Sequence, residues 1–181
     1  STDNTKEVIK EFFDQHGISG EIHDRPWKDF GWDRTEAFKC AKGKGDYVWV
    51  IDADDKICGE LVLPEQLTKD SYHLWYEFNN GYSSEGWWRP QLFSNTLDWR
   101  YTGVVHEYAL CEEAKTSERV EGNYYIKPTF QGDRNKAGVK EKMTRDIGVL
   151  EGGLQEEPDN VRYMFYLAQS HFMIEQYSEA K

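Results

Sequence analysis

Three carboxylates follow directly after an apolar, β-prone segment. Residues 47–51 (YVWVI) read as a short buried strand, and Asp52, Asp54 and Asp55 come next. Like charges this close repel one another, so either water or a cation must lie between them. Hard carboxylate oxygens suit Mg²⁺ or Mn²⁺, and Mg²⁺ is usually held by one or two carboxylates plus substrate phosphates. Acidic residues after a strand also commonly serve as turn residues, and both interpretations stay open.

Two further places combine residue types that could bind a ligand. His106 and Glu107 interrupt the apolar segment TGVVHEYAL, where an imidazole and a carboxylate could complete a mixed metal site or form a structural pair. Arg89, in WWRPQLF, could pair with a diphosphate or simply stack on Trp87 or Trp88. The KGKGD segment at 42–46 lacks the spacing of a P-loop and is better explained as a helix end and turn.

Composition excludes some classes of partner. The chain has 181 residues and a formal net charge of −11, which argues against a general nucleic-acid or anionic-membrane surface. A small phosphate ligand remains compatible, because a metal ion or a few local cations can reverse the local field. The three scattered cysteines favour reduced thiols and a cytoplasmic location over a disulfide framework or a zinc site.

The elements that must position these residues change in character along the chain. Helices are predicted over 4–17 and 30–45 and strands at 20–24 and 47–51, an alternation that indicates an α/β layer with a parallel sheet. Asp52 and Asp54 would then lie at the carboxyl edge of that sheet, where ligands bind. From Ser71 the segments are aromatic and strand-like, and from about 133 onwards they have helical periodicity.

These segments together resemble the family 2 glycosyltransferases. The resemblance rests on STDNTKEVIKEF, on FGWDRTEAFKCAKGKGDYVWVIDADD and on WWRPQLFSN followed by WRYTGVVHEYA, in the family's order. It points to a branch whose transferase domain is followed by tetratricopeptide-like helices. It implies a GT-A fold, a Rossmann-like nucleotide-sugar-binding α/β domain, over 1–132, with a C-terminal α-helical segment over 133–181. The family's first strand would precede Ser1, so this chain is expected to lack it.

The resemblance also assigns roles to residues. Asp52 and Asp54 match the family's DxD motif, which holds Mn²⁺ or Mg²⁺ and the ribose, and His106 matches a histidine that completes the metal site. Asp3 and Arg34 match donor-binding positions, whereas Asp33 and Thr35 depart from the residues usual there. The expected substrate-binding set also includes Asp52, and it includes Arg89 and Trp88 on chemical grounds, because a guanidinium group can pair with a diphosphate and an aromatic face can stack on a sugar ring. Asp55, outside the DxD spacing, is expected to be a turn residue or a support for the pair.

The implied activity is inverting transfer of a hexose from a UDP- or GDP-sugar donor to an acceptor hydroxyl on a glycan, protein or lipid. Such transfer needs a general base, for which Glu85 is the first candidate and Glu107 the second. The C-terminal helices would offer a surface to a protein partner. The alternative is a non-catalytic nucleotide-sugar-binding or scaffold protein derived from a transferase. Metal-dependent phosphoryl or nucleotidyl transfer ranks last, because no second acidic cluster matches a two-metal site.

Overall fold

The computed structural model describes residues 3–26, 28–79, 84–129 and 138–180, which form a mixed α/β structure with two helices at its C-terminal end. Helix α1 (Thr5–His16) ends at Gly17, whose left-handed φ of 62° lets its amide bond the Phe13 carbonyl. Helix α2 (Phe30–Ala41) begins after Asp29, whose carboxylate accepts a 2.7 Å hydrogen bond from the Trp32 amide. Helix α1 buries none of its residues, whereas α2 packs its Phe38 side chain into the core.

The described strands form a mainly antiparallel sheet rather than the parallel sheet predicted from sequence. They are β1 (Tyr47–Trp49), β2 (Lys56–Gly59), β3 (Ser71–Asn79), β4 (Ser84–Ser94), β5 (Arg100–Thr102), β6 (Tyr108–Leu110), β7 (Ser117–Arg119) and β8 (Tyr124–Lys127). The sheet has the order β1-β4-β3-β8-β2, with β7 also beside β3, and β5 pairs separately with β6. The parallel pairs are β3–β7 and β3–β8, and residues 20–24 are not a strand.

The long β3–β4 pair is the centre of the sheet. Its register places Tyr76 opposite Trp87 and Trp75 opposite Trp88, and the register shifts between Tyr72 and His73. Alternation along the strands gives the pair two distinct faces. One face contributes Tyr72, Leu74 and Tyr76 to a buried cluster, whose other members are Leu92, Val120, Tyr124 and Ile126.

Helices α3 (Val139–Glu156) and α4 (Val161–Met173) pack against the segment that leads from β5 to β6. Val105 of that segment is buried with Leu150 and Tyr163. A side chain at Gly153 would approach the Val104 methyl group to 3.0 Å, so glycine allows this close contact. The predicted boundary at 132/133 falls outside the described residues, and the two-domain division and tetratricopeptide relationship remain predictions. No helix in the described ranges is both long and apolar enough to cross a bilayer.

Candidate active site

Asp52 lies at the centre of an ionic cluster just beyond β1. Arg34, from α2, donates from Nη2 to Asp52 Oδ1 at 2.5 Å, and Arg89, from β4, donates from Nη1 to Asp52 Oδ2 at 3.2 Å. Arg34 Nε also donates to Glu107 Oε1 at 3.0 Å. Helix, strand and loop segments far apart in sequence therefore bring two guanidinium groups and two carboxylates together. We call Arg34, Asp52, Arg89 and Glu107 the ionic cluster.

Aromatic rings support both guanidinium groups of the ionic cluster. The guanidinium carbon of Arg34 lies 5.5 Å from the centre of the Tyr101 ring, and that of Arg89 lies 5.3 Å from the centre of the Tyr76 ring. Thr35, on the same helix as Arg34, accepts a 2.9 Å hydrogen bond from the Tyr101 amide, which ties α2 to β5. These contacts restrict the positions of both arginines before any ligand arrives.

Charge and burial act against each other at Asp52. Burial alone would raise the pKa of the Asp52 carboxyl group, but the adjacent Arg34 and Arg89 guanidinium groups outweigh it and lower the pKa. For Arg34, burial opposes the charged form, and the charge and hydrogen bond of Asp52 outweigh it and raise the pKa. Both groups are therefore charged at neutral pH. The cluster is neutral overall, but each guanidinium group has five N–H donors and can still donate hydrogen bonds to an anion while Asp52 orients the two arginines.

Asp55 behaves as the turn residue expected from sequence and also joins the site. Its amide donates a 3.0 Å hydrogen bond to the Asp52 carbonyl, and its carboxylate accepts a 2.7 Å hydrogen bond from the Tyr76 hydroxyl. Burial and the negative charge of Asp52 raise the pKa of Asp55, although the Tyr76 hydrogen bond opposes the shift. Burial also raises the pKa of the Tyr76 hydroxyl well above its usual range.

The three residues predicted to bind metal are not assembled into one group. Within the described ranges, no three His, Cys, Asp or Glu side chains are placed to hold a metal ion together. Both Asp52 oxygens accept hydrogen bonds from arginine, and the His106 ring stacks on Tyr166 with 4.1 Å between centroids. Asp54 is half-buried in the turn after β1, where its carbonyl accepts a 2.6 Å hydrogen bond from the Thr129 hydroxyl.

His106 and Glu107 have different surroundings despite being neighbours. His106 adopts a left-handed φ of 54°, and burial lowers the pKa of its imidazole, which favours the neutral ring. Its carbonyl accepts a 2.7 Å hydrogen bond from Arg162 of α4. Glu107 is only 14% exposed and is engaged by Arg34, so its observed contact is that of an ion-pair partner.

The structure places Trp88 and Arg89 on opposite faces of the β3–β4 pair, and the substrate-binding role of Trp88 remains a prediction. Trp88 lies on the opposite face of the β3–β4 pair, 5.2 Å from Trp75 between ring centroids and 5.3 Å from the Arg119 guanidinium carbon. Trp87, which was not among the predicted site residues, is on the face that carries Arg89. Local sequence gives no signal for this choice, because it depends on how β4 is paired with β3.

The two remaining predicted site residues lie near the start of β4 and before α1. Glu85 is exposed near the start of β4, four residues or about 13 Å along the strand from Arg89. Asp3 precedes α1, where its carboxylate accepts hydrogen bonds from the Thr5 amide and hydroxyl at 3.1 and 2.6 Å. The substrate-binding role of Asp3 and the base role of Glu85 remain predictions.

Comparison with known proteins supports the family resemblance for part of the chain. A search of curated proteins finds no significant match. Residues 1–71 match the family model described as glycosyl transferase family 2. The matched stretch contains α1, α2 and β1, and with them Arg34, Asp52 and Asp54 of the candidate site. This match supports a relationship to the family 2 glycosyltransferases and suggests a glycosyltransferase that uses a nucleotide-sugar donor and an acceptor.

Proposed function

We propose that this chain transfers a hexose from a nucleotide-sugar to an acceptor hydroxyl, with inversion at the anomeric carbon and with help from a divalent cation. The observation that carries the proposal is the convergence of Arg34 and Arg89 on Asp52, directly after β1. Guanidinium groups bind phosphate oxygens bidentately, so two arginines held in place by one carboxylate suit a diphosphate. The family match covers Arg34 and Asp52 and supports the same class of donor.

The donor set fits a cation that the protein holds through few ligands. Both Asp52 oxygens accept hydrogen bonds from arginine, so a Mg²⁺ or Mn²⁺ ion would be held by the Asp54 carboxylate and by substrate phosphates, with Asp52 orienting the arginines beside it. A cation bound there would neutralise charge that develops on the leaving nucleoside diphosphate. Arg34 and Arg89 would bind the diphosphate oxygens, and Glu107 would keep Arg34 in position through its Nε hydrogen bond.

The acceptor hydroxyl must lose a proton as it attacks the anomeric carbon from the side opposite the diphosphate. Glu85 remains the first candidate for this base because its exposed carboxylate lies on the same strand face as Arg89. Glu107 is second, because its carboxylate already accepts a hydrogen bond from Arg34. In this scheme Glu85 takes the proton, and the glycosidic bond to the diphosphate breaks as the bond to the acceptor oxygen forms.

Calorimetric titration with UDP and GDP, with and without Mn²⁺, tests the donor site. We expect Mn²⁺ to increase the affinity of the native chain for one of these nucleotides, and Asp54→Ala to abolish that increase. We expect Arg89→Lys to weaken binding about tenfold or more, because one charge-assisted hydrogen bond contributes roughly 1.5–3 kcal/mol.

Arg145→Lys on α3 is the matched control, because that arginine is exposed and forms only a weak ion pair with Glu141 at 4.0 Å. Its nucleotide affinity should equal that of the native chain. Equal affinity with and without Mn²⁺ in the native chain would refute the metal-dependent site.

A non-catalytic nucleotide-sugar-binding protein is the second candidate, favoured by the engagement of both Asp52 oxygens with arginine in the cluster. Slow hydrolysis of the nucleotide-sugar in the absence of an acceptor distinguishes the two candidates, because only a transferase is expected to catalyse it. A transferase releases nucleoside diphosphate from its matching nucleotide-sugar, and Glu85→Gln should slow acceptor-dependent turnover at least a hundredfold if Glu85 is the base. A pure binding protein would bind the donor and release none.

A further inference from the structure

We propose that Trp87 is the platform on which the hexose ring of the donor stacks. This inference rests on the proposed function and names a position for the sugar within it. Trp87 is 40% exposed, although it lies on the central β3–β4 pair next to buried residues. Exposed aromatic faces suit the C–H face of a sugar ring, because both surfaces are apolar and flat.

One face of β4 presents three different chemical groups in a row. Glu85, Trp87 and Arg89 alternate along the strand, so their side chains emerge on the same face, with about 7 Å between successive Cα atoms. Arg89 belongs to the ionic cluster proposed to bind the diphosphate. The sugar ring is bonded directly to that diphosphate, so Trp87 is the next side chain available to it in the direction of Glu85.

A buried aromatic ring on the neighbouring strand packs against the Trp87 ring. Trp87 stacks on Tyr76 with 5.8 Å between centroids and 29° between planes, and Tyr76 is fully buried. On the opposite face of β4, the Trp75 ring lies against Gly86 so closely that an added Cβ would come within 1.9 Å of it. Aromatic rings therefore brace the strand on both faces, and little conformational freedom is lost when a ligand stacks on Trp87.

Charge around the platform restricts the kind of sugar. Glu85 places an exposed carboxylate at one end of the row, and the chain as a whole carries a net charge of −11. A uronic or sialic acid on Trp87 would be repelled by that carboxylate, whereas hydroxyl groups could donate hydrogen bonds to it. Arg89, on the other side of Trp87, would be engaged by Asp52 and the diphosphate, so the exposed Glu85 carboxylate decides the preference and favours a neutral hexopyranose.

The test compares nucleotides with their sugar conjugates. Calorimetry would measure the affinities of UDP, UDP-glucose, UDP-N-acetylglucosamine, GDP and GDP-mannose for the native chain, Trp87→Ala and Trp87→Phe. We expect Trp87→Ala to leave the affinity for the free nucleoside diphosphate unchanged and to reduce the affinity for the matching nucleotide-sugar about tenfold. Trp87→Phe should retain most of the affinity because a flat ring remains.

Phe172→Ala is the matched control, because Phe172 is a 63% exposed aromatic residue on α4. A second measurement follows the Trp87 indole resonance by NMR, assigned from its loss in Trp87→Phe, during titration with methyl α-glucopyranoside. A shift of this resonance in the native chain supports the platform without any nucleotide.

The outcomes separate the platform from the proposed function. Suppose that nucleoside diphosphates bind, and that Trp87→Ala either lowers the affinities for nucleotide and nucleotide-sugar equally or changes neither affinity. The platform is then refuted and the donor site stands. If no nucleoside diphosphate binds with or without Mn²⁺, the proposed function fails. The NMR titration then decides, because an unshifted Trp87 resonance refutes the platform as well.

Discussion

Burial disfavours the ionised carboxylate of Asp55, and this should lower the free energy of unfolding at neutral pH. Its folded-state pKa is raised, mainly by burial, so the folded chain binds this proton more tightly than the unfolded chain. Below the unfolded pKa of about 3.9 both states are protonated and there is no cost. As the pH rises above that value the unfolded state releases its proton first, so the contribution of Asp55 to folding stability decreases.

Asp55→Asn should therefore stabilise the chain at neutral pH. The amide oxygen of asparagine can still accept the hydrogen bond from the Tyr76 hydroxyl group, while the partly buried charge next to Asp52 is removed. We expect the melting temperature to rise by about 2 °C at pH 7, typical of a change of under 1 kcal/mol in a chain of this size, and to stay unchanged at pH 3.

Glu65→Gln, at an exposed position, should change the melting temperature at neither pH. A lower melting temperature of Asp55→Asn at pH 7 would show instead that the ionised carboxylate stabilises the fold.

The position of a site residue could be predicted from sequence where it depends only on the neighbouring residues in the chain. Asp52 follows an apolar strand in the sequence, and in the structure it follows β1. The choice between Trp87 and Trp88 was not predictable, because adjacent residues face opposite sides and only the pairing with β3 decides which side holds Arg89. The link between Arg34 and Glu107 spans 73 positions, and no local periodicity reports it.

At the scale of elements, the segment from β5 to β6 connects the C-terminal helices to the ionic cluster. Gly103 and His106 both have left-handed φ angles, 102° and 54°, and such a conformation is costly for histidine. Arg162 of α4 holds this segment by its bond to the His106 carbonyl, and its guanidinium carbon lies 4.7 and 4.9 Å from the Tyr108 and Tyr166 ring centres.

Arg162→Ala should make this segment more mobile. Because Glu107 lies in the segment and accepts a hydrogen bond from Arg34, the Arg34 side chain should then be held less firmly. We expect backbone amides in 103–108 to exchange hydrogen at least tenfold faster, with the exchange in β3 unchanged. Nucleotide affinity should fall as well, because Arg34 loses part of its support.

Val161→Ala provides the comparison, because Val161 is 75% exposed and precedes Arg162 on the same helix. Unchanged exchange in 103–108 in Arg162→Ala would mean that the buried contacts of Val105 hold the segment on their own.

Helix positions were largely predictable, whereas strand pairing was not. The first helix ends at Gly17 as the sequence indicates, and the second occupies Phe30–Ala41 within the predicted stretch. The alternation of helices and strands nevertheless predicted parallel pairing, while β1, β3 and β4 pair in antiparallel fashion. The long aromatic strands Ser71–Asn79 and Ser84–Ser94 explain the difference, because they pair directly with each other in antiparallel fashion.

At the scale of the whole molecule, the net charge of −11 and the two arginines of the ionic cluster have opposite effects on an anionic ligand, although Asp52 and Glu107 balance the charge of those arginines. The overall charge repels a diphosphate at long range, and the two arginines attract it at short range. Salt screens the long-range repulsion more than the contacts of the partly buried ionic cluster. The association rate of UDP or GDP, measured by stopped flow, should therefore increase about two- to fivefold between 20 and 150 mM NaCl. A decrease would show that the local positive field dominates the approach.

The position of β1 in the sheet also has a consequence for how the protein behaves at high concentration. Among the strands in the described ranges, β1 is at one end of the order and pairs only with β4. It has only three residues, Tyr47, Val48 and Trp49, and all three are half-buried, so it offers few backbone groups to a strand of another molecule. Self-association by strand addition is therefore expected to be weak, and the light scattering of purified material should rise little with concentration.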